Sequence, residues 1–190
     1  MTGKGISLDV KYEWEPVESL PGTAYRFPCP VTPRMTQMYG KPAVYRWIFY
    51  SEEGRAIRYY FGETRSLAGR IKQYLSPGKS QQTNIRMNEH LCSHSKLGLA
   101  VGIDVLRPES IVMNDRDLSV DGLKNGFVRK AIENLLIAEF EEDATVGIQL
   151  LNRPTAVSDE QKRESLRKVR TYLKGLPVEE RMEILRKAAQ

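Results

Sequence analysis

Ala43 to Tyr74, AVYRWIFYSEEGRAIRYYFGETRSLAGRIKQY, is the stretch that most narrows the folds open to this chain. Two runs of period two flank a short polar turn, and a segment of helical period follows. In the first run Tyr45, Trp47 and Phe49 share one face while Val44, Ile48 and Tyr50 share the other. In the second, Ile57, Tyr59 and Phe61 oppose Arg58, Tyr60 and Gly62. Ser51 to Arg55 offers Gly54 for a positive φ, so the runs are expected to pair as a hairpin. Thr64 or Ser66 can cap the next helix, whose buried stripe is Leu67, Ile71 and Leu75. Arg70 and Tyr74, four residues apart, project from one side of that helix. Gly69 inside it costs about 0.5–1 kcal/mol relative to alanine, which a close backbone approach would offset. Ser76-Pro77-Gly78 ends the helix.

Upstream, Ile6, Leu8, Val10, Tyr12 and Trp14 alternate with polar residues, the pattern of a half-buried strand at a sheet edge. Pro16, Pro21, Pro28, Pro30 and Pro33 then predict an extended wrapping segment without regular helix. Downstream, a helix is expected from Thr83 to Lys96, with Gly98 as its C-terminal cap, and a strand from Leu99 to Leu106. Arg107 to Gly126 reads as a long loop, with a short strand at Ser110 to Met113. Phe127 to Asp143 is a helix whose apolar face includes Val128, Ile132, Leu136 and Phe140, with Glu133 at the stripe's edge. Val146 to Leu151 can form a last strand, ending at Asn152. Ser158 and Gln161 resemble a capping box that opens a basic helix; Pro177 starts another.

These elements predict an α/β (α+β) architecture, a small central, mainly antiparallel sheet flanked by helices. The organisation expected is a strand and proline-rich arm over 1–41, a main domain over 42–152, and a C-terminal helical hairpin over 153–190. Hydrophobic residues are 41% and charged residues 28%, a globular balance. No run of about 18 apolar residues is present, so no membrane span is expected. Without a signal-like start the expected location is cytoplasmic, with Cys29 and Cys92 as reduced thiols. The net charge of +5 favours a polyanionic partner.

Ala43-Val44-Tyr45, then Tyr60-Phe61-Gly62, then Arg70 with Tyr74 four residues on, resemble the motifs of the GIY-YIG nuclease superfamily. Ala-Val stands for Gly-Ile in the first motif, and Phe61 for isoleucine in the second. Glu133-Asn134-Leu135-Leu136-Ile137 resembles the family's helix with a metal-binding glutamate, and Leu151-Asn152 its closing segment. The resemblance spans about Lys41 to Asn152. It implies a Mg²⁺- or Mn²⁺-dependent endonuclease that hydrolyses DNA phosphodiester bonds, with Tyr45, Tyr60, Arg70, Tyr74 and Glu133 as catalytic residues and Glu133 as metal ligand.

The residue types suit that chemistry. Phosphodiester cleavage builds negative charge on the phosphoryl and leaving oxygens. Arg70 can grip phosphate bidentately, and Glu133 offers a hard oxygen to Mg²⁺. Tyr45 is the candidate to orient or deprotonate the attacking water, with Tyr60 and Tyr74 in its network. Arg65, Lys72, Lys79 and Arg86, with Asn152, are candidates for nucleic-acid contact. Singly, each has a plainer reading: packed tyrosines, a solvated Arg70, and Glu133 in an exposed pair with Arg129. His90, Cys92 and His94 have a zinc-like spacing but lack a partner pair elsewhere.

The biological role stays open among restriction-type, mobile-element and DNA repair or structure-selective nucleases. A non-catalytic nucleic-acid-binding module of the same fold, or a protein-interaction domain, is the alternative. A symmetric double-strand cut from one site per chain implies a homodimer or two successive nicks.

Overall fold

The computed structural model describes residues 7–142 and 148–152; the expected C-terminal hairpin lies outside the described residues. Strand periodicity builds one sheet. Ala43–Tyr50 (β4) and Ala56–Thr64 (β5) form the central antiparallel hairpin, with Tyr45 opposite Gly62 and Trp47 opposite Tyr60. Gly54 turns it with φ of 75°. Leu8–Pro16 (β1), alternately half-buried and exposed over most of its length, occupies one edge. Glu18–Leu20 (β2) and Thr23–Ala24 (β3) make a separate small ribbon. Val101–Met113 (β6) joins β1 to β4, antiparallel to both, and Arg116–Asp117 (β7) pairs alongside it. Gln149–Leu150 (β8) closes the other edge parallel to β5, so the order is β1-β6-β4-β5-β8. The architecture is mixed α/β with a mainly antiparallel sheet.

Helices cover both faces. Pro33–Tyr39 (α1), Leu67–Leu75 (α2) and Gln82–Lys96 (α3) pack over Tyr45, Trp47, Phe49 and Tyr60. Gly126–Glu142 (α4) packs Val128, Ile132 and Leu136 over Val44, Phe61, Leu106 and Ile111. Ser66 caps α2, accepting from the Gly69 amide at 3.2 Å. Among the described residues no helix is long and apolar enough to cross a membrane. Cys29 and Cys92 are both free.

Two expectations are corrected. The proline-rich segment contains helix α1: Pro33 stands at its start, where a missing N–H costs nothing, and Thr32 caps the Met35 amide at 3.1 Å. This segment also places Val17, Tyr25, Phe27 and Met35 in the core around Trp47, so it is part of the domain's interior. The expected loop beginning at Arg107 is strand as far as Met113. Pro108 is tolerated there because β4 pairs with β6 only up to Val105, and β1 shifts register between Lys11 and Tyr12, beside Pro108's partner.

Candidate active site

Tyr45 points from β4 toward α2 and is fully enclosed, 1% exposed. Its hydroxyl lies 2.8 Å from that of Tyr74. Gly62, directly opposite on β5, makes room for this phenol: a Cβ there would overlap the Tyr45 hydroxyl. The glycine is therefore required by close approach, not by backbone angle. Tyr60 completes the cluster, its ring edge-on to Tyr74 with centroids 6.5 Å apart. The Trp47 ring also packs edge-on to Tyr74, with centroids 5.7 Å apart.

These phenols form one wall of a cavity of ≈230 Å³ that also receives Arg70, Glu133, Lys130 and Glu63. Strands β4 and β5 and helices α2 and α4 thus each bring side chains to one cleft. Arg70 donates from Nη1 to Asn84 Oδ1 at 3.2 Å, while its buried Nε has no hydrogen-bond partner among the described residues. Glu133 is 6% exposed and accepts from Lys130 Nζ at 2.7 Å. Lys130 and Glu63 were not singled out from the sequence. Lys130 follows Arg129 by one residue on α4, and Glu63 follows Gly62 on β5, so only the assembled sheet and helix reveal them.

The expected Glu133–Arg129 pair does not form. Arg129 is buried and turns away, donating to Glu63 Oε2 at 2.8 Å and to the carbonyls of Leu123 and Lys124. It latches the start of α4 and the preceding 3-10 helix Val120–Lys124 onto β5.

Burial sets the ionisation of the cleft. It pushes the Tyr45 hydroxyl far above the ordinary phenol range, with Tyr60 nearby adding to the effect and Arg70 opposing it. Tyr60 and Tyr74 are raised for the same primary reason. All three are neutral phenols near pH 7. Burial likewise raises the Glu133 carboxyl; its pairing with Lys130 works against this, and the charge of Glu63 adds to it.

Of the proposed nucleic-acid contacts, Arg65 is exposed beside the cleft, in the hollow that adjoins it. Lys72 and Lys79 are exposed, Arg86 is half-buried, and none of the three lines the cleft. Asn152 is committed elsewhere. Its Oδ1 accepts from the Phe61 amide at 2.8 Å and its Nδ2 donates to the Phe61 carbonyl at 2.9 Å. The carboxamide acts as one more peptide of β8, extending the ladder toward Gly62. His94 is buried, with Nε2 2.8 Å from the Tyr50 carbonyl.

Among the described residues no group of three or more His, Cys, Asp or Glu gathers as a metal cage. The donors present suit a hard cation that keeps water and substrate oxygens in its shell: a buried carboxylate, Glu133, with a second, Glu63, on the same cavity. Lys130 shows that the Glu133 carboxylate already draws a positive charge. Mg²⁺ or Mn²⁺ fits this donor set. No protein family, curated protein or solved structure matches the chain.

Proposed function

We propose that this chain is a metal-dependent endonuclease that hydrolyses DNA phosphodiester bonds, in the manner of the GIY-YIG nucleases its motifs resemble. The observation that carries the reading is convergence. Tyr45, Tyr60, Arg70, Tyr74 and Glu133, spread over some ninety residues, line one cavity of ≈230 Å³. Independent packing or solvated-surface roles would not require a common cleft.

Arg70 grips a non-bridging phosphoryl oxygen with its guanidinium, which the Nη1 bond to Asn84 at 3.2 Å orients. Neutral Tyr45 positions the attacking water through its hydroxyl, and Tyr74 fixes the orientation of that hydroxyl. A standing phenolate at Tyr45 is disfavoured by burial, so its role is orientation rather than proton abstraction. Glu133 would hold a Mg²⁺ or Mn²⁺ ion, which would supply Lewis-acid stabilisation of the leaving 3′ oxygen. Exclusion of bulk water from the phenol wall strengthens each of these contacts.

One observation favours the runner-up, a non-catalytic nucleic-acid-binding module: Lys130 already balances the Glu133 charge. Plasmid and linear DNA incubated with Mg²⁺ separate the two. The parent is expected to cut, and Arg70→Ala and Glu133→Gln each to slow cutting by about 10²–10³-fold. Binding by the parent without cutting would instead establish the module, and cutting unchanged in both variants would remove this cleft from the chemistry.

A further inference from the structure

Next to the catalytic cleft, and sharing Glu63 and Arg70 with it, lies a larger open hollow of ≈690 Å³. We propose that this hollow is a second phosphodiester subsite, seating the phosphate next to the scissile one between Arg65 and Lys124. The inference rests on the endonuclease reading and deepens it.

Its charge is lopsided. Arg65, Arg70, Lys124 and Arg129 line it, against the single carboxylate of Glu63. That carboxylate is taken up by Arg129, leaving the other three cations to face an anion. Among the described residues Lys124 pairs with Asp121, and both side chains are largely exposed (72% and 67%), so water screens that pair and leaves the ammonium mobile. The volume is that of a pocket for a nucleotide-sized group.

The lining has the wrong chemistry for a base and the right one for a backbone. Among the described residues it lacks any aromatic side chain on which a base could stack, and offers Thr64, Ser66 and Gln73 instead. Its floor includes Gly69, where a Cβ would crowd only the capping Ser66 side chain, at 3.1 Å from Oγ. The helix-interior glycine thus leaves the surface bare where a phosphate would approach α2. The far wall is the 3-10 helix and the start of α4, which the Arg129 latch holds against β5. The segment leading into α4 thereby carries Lys124 to the rim of the hollow.

The test measures affinity of the full chain for a duplex in EDTA, so that nothing is cut. A single neutral methylphosphonate is walked outward from the cut position mapped with Mg²⁺. The parent is expected to lose affinity when the neutral link replaces the phosphate beside the scissile one. The Arg65→Gln/Lys124→Gln double variant should bind more weakly and show no further loss at that link. Its slope of log affinity against log salt should fall by about 0.9 for each contact removed. Lys11→Gln, on the exposed side of β1 at the sheet's other edge, should leave the slope unchanged. A parent that cuts DNA while the double variant keeps full sensitivity to the neutral link, or while Lys11→Gln moves the slope equally, overturns the subsite alone. A parent that neither binds nor cuts overturns the endonuclease reading and the subsite with it.

Discussion

On one face of the sheet, β4 and β5 send Tyr45, Trp47 and Tyr60 beneath α2 and α3; on the other they send Val44 and Phe61 beneath α4. The same two strands therefore supply a hydroxyl-rich wall and a hydrocarbon wall, because alternate residues point to opposite faces. The hydroxyl face satisfies its buried oxygens by drawing phenols together, as in the Tyr45–Tyr74 contact. The hydrocarbon face anchors α4 through Val128, Ile132 and Leu136, and this anchoring holds Glu133 at the cleft. Polar groups flank that second face, where Arg46 pairs with Asp104 at 2.8 Å and stacks on Trp14 at 4.5 Å. Chemistry on one face thus depends on plain packing on the other.

Exchanging chemistry for packing on α4 gives the largest contrast. Glu133→Gln is expected to cost about 10²–10³-fold in cleavage with little change in thermal unfolding. Ile132→Val, one residue earlier on the buried stripe, should cost about 0.5–1.5 kcal/mol of stability with the cutting rate preserved. The division of labour between faces collapses if the two variants behave alike in both assays.

Gly62→Ala strikes the hydroxyl face directly. The added methyl overlaps the Tyr45 phenol, so a loss of about 1–3 kcal/mol by chemical denaturation and loss of cleavage are expected. Tyr45→Phe in the same chain removes the atom most overlapped and should return part of that stability but none of the activity. No recovery would mean that the ring carbons of residue 45, rather than its hydroxyl, resist the methyl group.

Asn152→Ala removes both side-chain bonds to Phe61, and about 1 kcal/mol should be lost. Cleavage should fall less than in the Glu133 variant, since the clamp only steadies Gly62. A cutting rate as low as that of Glu133→Gln would give Asn152 a direct part in the chemistry.

The smallest effect is a tilt with pH. Burial raises the native Glu133 carboxyl above its unfolded value. A group so shifted contributes stability below the ordinary carboxyl range and loses it as pH rises through the native value. Parent thermal stability should therefore gain on that of Glu133→Gln as pH falls from neutral to mildly acidic. The opposite tilt would show that the Lys130 pairing outweighs burial.

Where local pattern and tertiary demand agree, the sequence was readable. The alternation in Ala43–Tyr50 and the stripe through Val128, Ile132 and Leu136 each placed a buried face correctly, because burial follows period. The proline-rich reading misled once, since a proline's effect depends on its position. Pro33 begins a helix and Pro108 sits where β6 has lost its β4 neighbour. Gly62 was legible as a motif letter, whereas its reason, the phenol pressed against it, appears only across the strand pair.

The candidate site divides the same way. Resemblance to the GIY-YIG motifs singled out Tyr45, Tyr60, Arg70, Tyr74 and Glu133, and local spacing added only that Arg70 and Tyr74 project from one side of a helix. Tertiary structure alone decided that they meet, that Lys130 rather than Arg129 faces Glu133, and that Glu63 stands on the same cavity. Contacts between elements depend on how whole faces pack, and no local period carries that information. Burial is likewise a property of the assembled layers, and it is burial that pushes the Tyr45 hydroxyl still further above the ordinary phenol range.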